Sequence, residues 1–481
     1  MTTNYETIIG LEVHLQLNTK SKLFCGCSTK FGEEPNANTC PVCLGMPGTL
    51  PVINERAVEY ALMACRATDC KINQYNKFDR KNYYYPDLPK GYQISQFDLP
   101  VGFDGAVTIE TENGYKDIGL TRIHLEEDAG KLIHAGSVAD SDHSLVDFNR
   151  GGVPLIEIVS EPDLRTPAEA KSYLEALKQI MLYLDISDCN MEEGSLRCDA
   201  NVSIRPEGQE EFGTKTELKN MNSFKAVEKA LTYEVKRQKS VLNEGNVVIQ
   251  ETRTWDDELG KTISMRGKEE AHDYRYFPDP DLVPLEVDND WINELKEDLP
   301  ELPYKRKQRF VEEYDLPEYD AEVLTDTRAL ADFFEAGVKE FSEPKTVSNW
   351  VMGEFLRLLK EEETVIKECE VSGKSLGKLL KLMDDGTISN KIAKEVFEEM
   401  FKTGKGAEEI VEDKGLKQIS DEDKLEEIVE NIIEENPDAV EDIRNGKDKA
   451  IGFLVGQVMK ETRGKANPQM VNQMFRDKIQ D

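Results

Sequence analysis

Four cysteines lie close together near the start of the chain. They occur as Cys25-x-Cys27 and, after twelve intervening residues, Cys40-x-x-Cys43. Both pairs are close enough for their thiolates to share one tetrahedral zinc ion, and a site closed by four sulfurs is structural because no position stays open for a substrate. Four unrelated free cysteines or a redox Cys-x-x-Cys are the alternatives. The neighbouring pair and the surrounding Pro and Gly turns favour zinc.

A second set of candidates consists of a histidine and several acids in strand-like patterns. Period-two alternation places Glu12 and His14 side by side on one face of a strand. Further acids occur in the apolar runs PLIEIVSEPD and LRCDANVSIR and in TRIHLEEDAGK: Glu126, Glu127, Asp128, Glu157 and Asp199. A carboxylate in an apolar run needs a cation or a hydrogen-bond partner. Such oxygen-rich clusters with one imidazole suit Mg²⁺ or Mn²⁺; solvent-facing acids are the alternative.

Groups that could contact a nucleotide are scattered rather than gathered in a loop. Neither the Walker pattern nor a G-x-G-x-x-G loop occurs, so any ATP binding would use the sheet. Cationic and hydroxyl candidates for phosphate contact are Lys81, Tyr83, Lys215, Lys219 and Arg275. Packing is the alternative role for the tyrosines in these segments.

The C-terminal tail carries a basic island around the apolar run IGFLVGQVM. Its members are Lys447, Lys449, Lys460, Arg463 and Lys465. Cations of this kind could contact RNA phosphates, whereas scattered lysines more commonly form a solvated helix face.

The composition limits which partners the whole chain can have. With 481 residues, 39% of them hydrophobic, the chain should form two to four domains. Sixty Lys and Arg against 94 Asp and Glu give a net charge of −34, so any RNA contact must use local basic patches. No stretch approaches the roughly 18 apolar residues of a membrane span. We expect a protein of the cytoplasm, where free thiols persist.

The candidates lie in two parts of the chain that differ in their predicted secondary structure. Residues 1–292 contain short alternating runs and one long helical pattern from Pro167 to Leu184, which predicts an α+β domain with a largely antiparallel sheet and flanking helices. Beyond it, long charged segments with helical spacing predict an all-α domain over residues 293–408 and a helical tail over residues 409–481. The glycine-bearing segment GKGAEEIVEDKG separates the last two.

Seven strings in order resemble one known family, the B subunits of the tRNA-dependent amidotransferases. They are IGLEVHLQL, FDRKNYYYPDLPKGYQISQ, HLEEDAGK, PLIEIVSEPD, EEGSLRCDANVSIR, TELKNMNSF and DYRYFPDPD. The resemblance spans nearly the whole chain. It implies a cradle domain with a glutamine-synthetase-like antiparallel sheet, then a helical domain and a helical tail.

The resemblance also implies an activity. Such a protein transfers the γ-phosphate of ATP to the side-chain carboxylate of glutamate on tRNA(Gln), or of aspartate on tRNA(Asn), and ammonia then displaces phosphate. No amidase loop or cysteine nucleophile motif is evident, so the ammonia should come from a glutaminase partner. The implied assembly is a heterotrimer with an amidase subunit and a small third subunit. A non-catalytic, zinc-stabilised tRNA-binding scaffold is the competing hypothesis.

Residue by residue, the resemblance assigns a magnesium site and a zinc site. Glu12, His14, Glu127 and Glu157 match the magnesium positions and are the expected catalytic residues, while Glu126 and Asp199 are candidates for a second ion or for ligation through water. The four cysteines match the zinc-binding variant of the family.

Overall fold

The computed structural model describes residues 4–134, 143–265, 273–297, 299–417, 422–444, 449–462 and 466–480. They form two compact units, Met1–Leu302 and Pro303–Asp481. The predicted boundary at residue 292 falls inside a helix, α4 (Asn289–Glu297), whose Leu295 is buried in the hydrophobic core of the first unit. That core therefore extends past the point where the sequence turns helical.

The first unit is built on a nine-stranded sheet. Its strands, in spatial order, are β14 (Lys261–Ser264), β13 (Glu251–Asp256), β12 (Thr216–Lys219), β11 (Leu196–Pro206), β1 (Tyr5–Gln16), β10 (Pro154–Ser160), β7 (Gly114–Glu127), β6 (Gly102–Thr111) and β2 (Lys71–Ile72). Every pairing is antiparallel except that of β12 with β13. The predicted α+β class is confirmed.

Smaller sheets and helices complete this unit. The short strands are β3 (Tyr75–Asn76), β4 (Asp79–Asn82), β5 (Tyr92–Ser95), β8 (Lys131–His134), β9 (Ser144–Asp147), β15 (Phe277–Pro278) and β16 (Leu285–Glu286). The helices besides α4 are α1 (Glu55–Ala67), α2 (Pro167–Tyr183) and α3 (Phe224–Asn243). The Thr166 hydroxyl accepts a hydrogen bond from the Glu169 amide and so caps α2, with Pro167 at its first turn.

The alternation of side chains along β1 places its core residues on one face and its polar candidate residues on the other. Leu11, Val13 and Leu15 are buried in the core, while the intervening Glu12 and His14 lie on the opposite face and are only partly covered. The polar face of the central strands is therefore where the predicted acids gather.

The second unit consists of helices. Their bounds are α5 (Pro303–Tyr314), α6 (Glu318–Leu324), α7 (Arg328–Glu340), α8 (Pro344–Trp350), α9 (Leu356–Glu361), α10 (Gly373–Asp384), α11 (Asn390–Thr403), α12 (Ala407–Asp413), α13 (Glu422–Glu435), α14 (Pro437–Arg444), α15 (Lys449–Glu461) and α16 (Pro468–Gln480), with a π-helical turn at Val351–Phe355 and a 3₁₀ turn at Ile366–Glu368. One core joins residues 310–411 and another residues 425–479. None of the described helices is long and apolar enough to cross a membrane.

Candidate active site and metal centres

Three neighbouring strands bring acids and imidazoles into one row. In the register of the sheet, His14 of β1 lies opposite Glu157 of β10, and Glu157 lies opposite His124 of β7. Since directly opposed residues share a face, all three side chains project from the same side of the sheet. Glu12 and Glu126 alternate onto this face two residues from the two histidines.

The side chains in this row approach within a few ångströms of one another. Nε2 of His14 is 3.3 Å from Oε2 of Glu157, 3.6 Å from Oε1 of Glu126 and 3.7 Å from Oε1 of Glu12. Nε2 of His124 is 3.6 Å from Oε2 of Glu126 and 3.7 Å from Oε2 of Glu157. Carboxylates this close repel one another, which favours protonation of one of them or the binding of a cation.

Charge in this cluster shifts the protonation of its members. Burial lowers the pKa of His14, but the hydrogen bond to Glu157 and the charges of Glu126 and Glu12 outweigh it and raise that pKa to about 9. Burial raises the pKa of Glu157, yet the charge of His124 and the hydrogen bond to His14 hold it well below its usual range. The pKa of Glu12 is raised, mainly by burial and then by the charge of Glu157. The cluster thus stabilises positive charge at its centre.

Asp199 and Glu127, two other predicted ligands, have different partners. Asp199 lies opposite Glu12 in the register, and its Oδ2 is 2.7 Å from the Nζ of Lys219. Glu127 follows Glu126 and therefore faces the other way, where its carboxylate pairs with Lys90 and accepts a 2.9 Å hydrogen bond from the Ile94 amide. Two three-ligand groups occur on this face in the described chain, Glu12–His14–Glu157 and His124–Glu126–Glu157, and neither includes Glu127 or Asp199.

Two contributors to the site were missed or underrated from the sequence. His124 was not singled out, and Glu126 was ranked below Glu127. The signal was present in TRIHLEED, because His124 and Glu126 are two residues apart and must share a face of a strand. The sequence alone does not show which face of this strand points toward Glu12 and His14.

A cavity of about 190 Å³ opens beside the cluster and is lined in part by Glu12, Glu126, Glu157 and His124. Its other lining includes Lys81, Arg122, Ser95, Gln96, Phe97 and Tyr276. The Lys81 ammonium lies 4.9 Å from the centre of the Tyr274 ring. Cationic and anionic side chains thus line the same small cavity, where Lys81 and Arg122 could contact an anionic group.

The other residues predicted to contact a nucleotide are distributed. Tyr83 donates a 3.1 Å hydrogen bond to Oε1 of Gln93, and Lys219 pairs with Asp199. Arg275 has an exposed side chain and a positive φ of 45°. Of the predicted set, only Lys81 lines the cavity.

A groove of about 490 Å³ continues from Glu12 along the same face. It is lined by Gly10, Val159, Ser160, Asn201, Ser203, Phe212, Gly213, Lys215 and Gln250, among others. Phe212 is 62% exposed, which leaves an aromatic face available in this groove. Its mixture of apolar surface with a few amides and hydroxyls is typical of sites for small molecules.

The four predicted cysteines converge at a second centre. Their sulfur atoms all lie within 4.8 Å of one another, and those of Cys40 and Cys43 are 3.9 Å apart. The pKa of Cys43 is lowered to about 4 by hydrogen bonds from Cys25 and from the Cys40 amide, and also by the charge of Lys22. Burial of Cys43 opposes this shift. The Lys22 side chain is 1% exposed, and its Nζ lies 3.7 Å from the Cys43 sulfur.

The Lys22 charge favours the thiolate form of Cys43, which is the form that binds a metal ion. The four-cysteine cluster could therefore hold a structural metal ion.

Comparison with known proteins decides the family. Residues 7–293 match the family described as the GatB/GatE catalytic domain, and residues 332–479 match the GatB domain. The chain is 61% identical to the B subunit of the aspartyl/glutamyl-tRNA(Asn/Gln) amidotransferase of Carboxydothermus hydrogenoformans, over 99% of both chains. The B subunits of the same amidotransferase from a Thermoanaerobacter species and Geotalea uraniireducens are 60% and 58% identical, again over 99% of both chains.

The chain belongs to the GatB family of amidotransferase subunits. The predicted resemblance is confirmed, as is the prediction that the chain is one component of a glutamine-hydrolysing tRNA amidotransferase. Matches that cover both the sheet domain and the helical end of the chain agree with the fold expected of this family.

Most of the basic island predicted to contact tRNA lies outside the described residues. Lys447, Arg463 and Lys465 are not described, and neither is the side chain of Lys449. Lys460 is exposed in the last turn of α15. The role of these lysines and arginines in a GatB protein stays a prediction.

The buried pair of Lys90 and Glu127 should be essential to the stability of this GatB chain. Lys90→Met removes the cation and leaves the Glu127 carboxylate, which is 4% exposed, buried without a partner charge. The free energy of unfolding should therefore fall by about 3–5 kcal/mol. The exposed pair Lys71–Asp104 is the control, and Lys71→Met should cost less than about 1 kcal/mol. Denaturant unfolding followed by circular dichroism measures both, and Lys90→Met combined with Glu127→Gln should recover much of the loss. Equal effects of the two single variants would contradict a buried pair.

Proposed function

We propose that this chain activates the side-chain carboxylate of glutamate on tRNA(Gln), or of aspartate on tRNA(Asn), by phosphorylation, and then forms the amide. A carboxylate oxygen attacks the γ-phosphorus of ATP and ADP leaves. Ammonia then attacks the acyl carbon, inorganic phosphate leaves with the bonding electrons, and the nitrogen loses a proton. A carboxylate alone is a poor electrophile, so the phosphoryl group supplies the leaving group that amide formation needs.

The observation that carries this proposal is that three carboxylates line one small cavity together with Lys81 and Arg122. His124 also lines this cavity, and Nε2 of His14 lies within 3.7 Å of an oxygen of each of the three carboxylates. The three carboxylates fit Mg²⁺ or Mn²⁺, which prefer oxygen ligands and would neutralise charge on a phosphoryl group in transfer. His14 and Glu157 would hold the ion, and Lys81 would orient the anionic group that enters. Glu127 and Asp199 remain predicted ligands.

The groove beside Glu12 supports a site for the rest of the nucleotide. It begins at a residue of the acidic cluster, so a base in the groove would leave its phosphates near Glu12. Phe212 offers a ring face for stacking, and Lys215 offers a cation. ATP would then lie along the polar face of β1, β10 and β11, without a glycine-rich phosphate loop.

The proposed reaction needs ammonia, and this need indicates the partners of the chain. Ammonia would come from an amidase subunit, with a small third subunit completing a heterotrimer, and the names of the relatives give tRNA(Asn) and tRNA(Gln) as the substrates. The tail with Lys447, Lys449, Lys460, Arg463 and Lys465 would contact tRNA phosphates. The four-cysteine cluster would bind zinc as a structural ion.

The central test replaces two members of the acidic cluster in the reconstituted complex. His14→Asn and Glu157→Gln should each lower both phosphate release from ATP and amide formation by roughly 100-fold or more, since a catalytic metal supplies several kcal/mol. Binding of the charged tRNA should persist. His143→Asn, at an exposed histidine outside the cluster, is the matched control. Unimpaired turnover in both cluster variants would make this chain a scaffold and assign the chemistry to a partner.

The nucleotide groove predicts a separate effect on affinity. Phe212→Ala removes a stacking surface that contributes about 1–3 kcal/mol per base, so the KM for ATP should rise roughly 5-fold to 150-fold with little change in kcat. Tyr115→Ala, at an exposed ring near the start of β7, should leave the KM unchanged. Steady-state phosphate release measures both. An unchanged KM in Phe212→Ala would contradict binding of the base in this groove.

The zinc assignment predicts that Lys22 controls how firmly the ion is held. We expect about one zinc per purified chain. Lys22→Met removes the ammonium beside Cys43, so thiolate charge is less well balanced and zinc should pass to a chelator about 10–100 times faster. Lys20→Met, two residues away and exposed, is the control. Equal release rates from both variants, or a wild-type chain without zinc, would contradict this assignment.

A further inference from the structure

We propose that Arg122 binds the side-chain carboxylate of the aminoacyl group and lets the site distinguish this substrate from its amide product. This inference deepens the function proposed above and rests on it for the identity of the substrate. It is supported by a bulge that turns Arg122 toward the polar face of the sheet, by the donors that its guanidinium has to spare, and by a buried amide in the same cavity.

A β-bulge in β7 determines where Arg122 points. Val159 of β10 lies opposite Arg122, but the next residue, Ser160, lies opposite Leu120, so Thr121 is an extra residue in β7. Bulges of this kind commonly occur next to active sites, where they redirect a side chain.

The burial of β7 shows what the extra residue does. Leu120 and Ile123 are both buried in the core although they are three residues apart, whereas an uninterrupted strand brings residues two apart to the same face. Without the bulge, Arg122 would share the core face with Leu120. With it, Arg122, His124 and Glu126 line one cavity.

The Arg122 guanidinium has donors that the protein does not use. Its Nη2 lies 3.3 Å from Oε1 of Glu157, and within the described residues this is the one hydrogen bond or ion pair of the side chain. A guanidinium carries several N–H donors in a planar fork. Because the side chain is 38% exposed and lines the cavity of about 190 Å³, donors remain for a ligand there.

The charges around the cavity assign Arg122 to a carboxylate. The acids of the cluster would repel a carboxylate substrate, so it needs a cation of its own. Arg122 and Lys81 both line the cavity. The planar fork of a guanidinium matches the two oxygens of a carboxylate, whereas an ammonium acts on a phosphate as a point charge. We therefore assign the carboxylate to Arg122 and the phosphoryl group to Lys81.

A buried amide points independently to a ligand oxygen in this cavity. Gln96 is 2% exposed and lines the cavity. Its Oε1 accepts a 3.0 Å hydrogen bond from the Leu125 amide, which fixes the orientation of the side chain because Nε2 cannot accept from that donor. Within the part of the chain that the structure describes, Nε2 has no hydrogen-bond partner. A buried donor without an acceptor is costly, and an oxygen of a bound carboxyl group would satisfy it.

Recognition by a guanidinium would separate the substrate from the product. The carboxylate of glutamate or aspartate offers two acceptor oxygens and a negative charge, whereas the amide offers one acceptor oxygen, an NH₂ group and no charge. The NH₂ group would meet a donor of Arg122 with no acceptor between them, which leaves both donors unpaired. The product side chain should therefore be held less tightly, and this favours its release.

The affinities for two charged forms of one tRNA test the proposal without turnover. The reconstituted complex is titrated with Glu-tRNA(Gln) and with Gln-tRNA(Gln) in the absence of ATP, so that contacts to the tRNA body cancel in the ratio of the two Kd values. The wild-type complex should bind Glu-tRNA(Gln) roughly 10-fold to 100-fold more tightly, as expected for charge-assisted hydrogen bonds. In Arg122→Met the two Kd values should differ by less than about 2-fold. Arg122→Lys should give an intermediate ratio, since a cation remains without the fork.

A matched control and a second ligand keep the result interpretable. Arg56 makes an ion pair with Glu59 on α1 and does not line the cavity, so Arg56→Met should keep the wild-type ratio. Circular dichroism and binding of uncharged tRNA show whether each variant is folded. A wild-type ratio near one, or a wild-type ratio in folded Arg122→Met, would overturn the proposal. Weaker ATP binding by Arg122→Met with an unchanged ratio would also overturn it, because Arg122 would then contact the phosphoryl group.

Phosphate release from ATP by the same samples separates this inference from the proposed function. A ratio that depends on Arg122, in a wild-type complex that releases no phosphate, would refute the kinase chemistry alone. Phosphate release by the wild-type complex with a ratio that does not depend on Arg122 would refute the carboxylate assignment alone.

Discussion

The repulsion among buried carboxylates at the centre of the sheet is the constraint on which the rest of the site depends. Glu126 and Glu157 are 2% and 5% exposed, and Glu12 joins them at the same imidazole. Their proximity is set by the antiparallel register of three strands in the middle of a nine-stranded sheet. The fold therefore concentrates negative charge that protonation or cations must relieve, and burial together with the charge of Glu157 raises the pKa of Glu12. His14 takes part of the role of a cation when protonated, and bound metal ions would take it fully.

The alternation of side chains along β7 places its neighbouring acids on opposite faces of the sheet. Glu126 and Glu127 are neighbours, yet one carboxylate joins the cluster and the other pairs with Lys90 on the opposite side. That opposite side also meets the cysteine loop, because Glu127, Lys90, Lys22 and Cys43 line one cavity of about 220 Å³. Lys22 donates to the Phe148 carbonyl at 3.1 Å and lies beside Cys43, so it links the loop to the chain entering β10. A metal ion among the cysteines would thus stiffen the support of the strands that carry the acids.

The sequence predicts the elements of this site better than their grouping. Glu12, His14 and Glu157 could be recognised because each interrupts an apolar alternation. Choosing between Glu126 and Glu127 requires knowing which face of β7 meets β10, and that depends on strand register rather than on local pattern. For the same reason His124 was missed, although its spacing from Glu126 was visible. The boundary predicted at residue 292 stays a prediction: α4 resembles in sequence the helices that follow it, while its Leu295 packs in the core of the first unit.

The acidic cluster also constrains the second half of the proposed reaction. Ammonia attacks as the neutral base, and a site rich in carboxylates stabilises ammonium instead, just as Glu157, Glu126 and Glu12 raise the pKa of His14 to about 9. Left unbalanced, these side chains would hold the nucleophile in its protonated, unreactive form. Divalent cations in the cluster reverse that preference by replacing net negative charge with positive charge. The ions that the cluster would hold for phosphoryl transfer are therefore needed again for amide formation, and we expect the two steps to share a single dependence on metal.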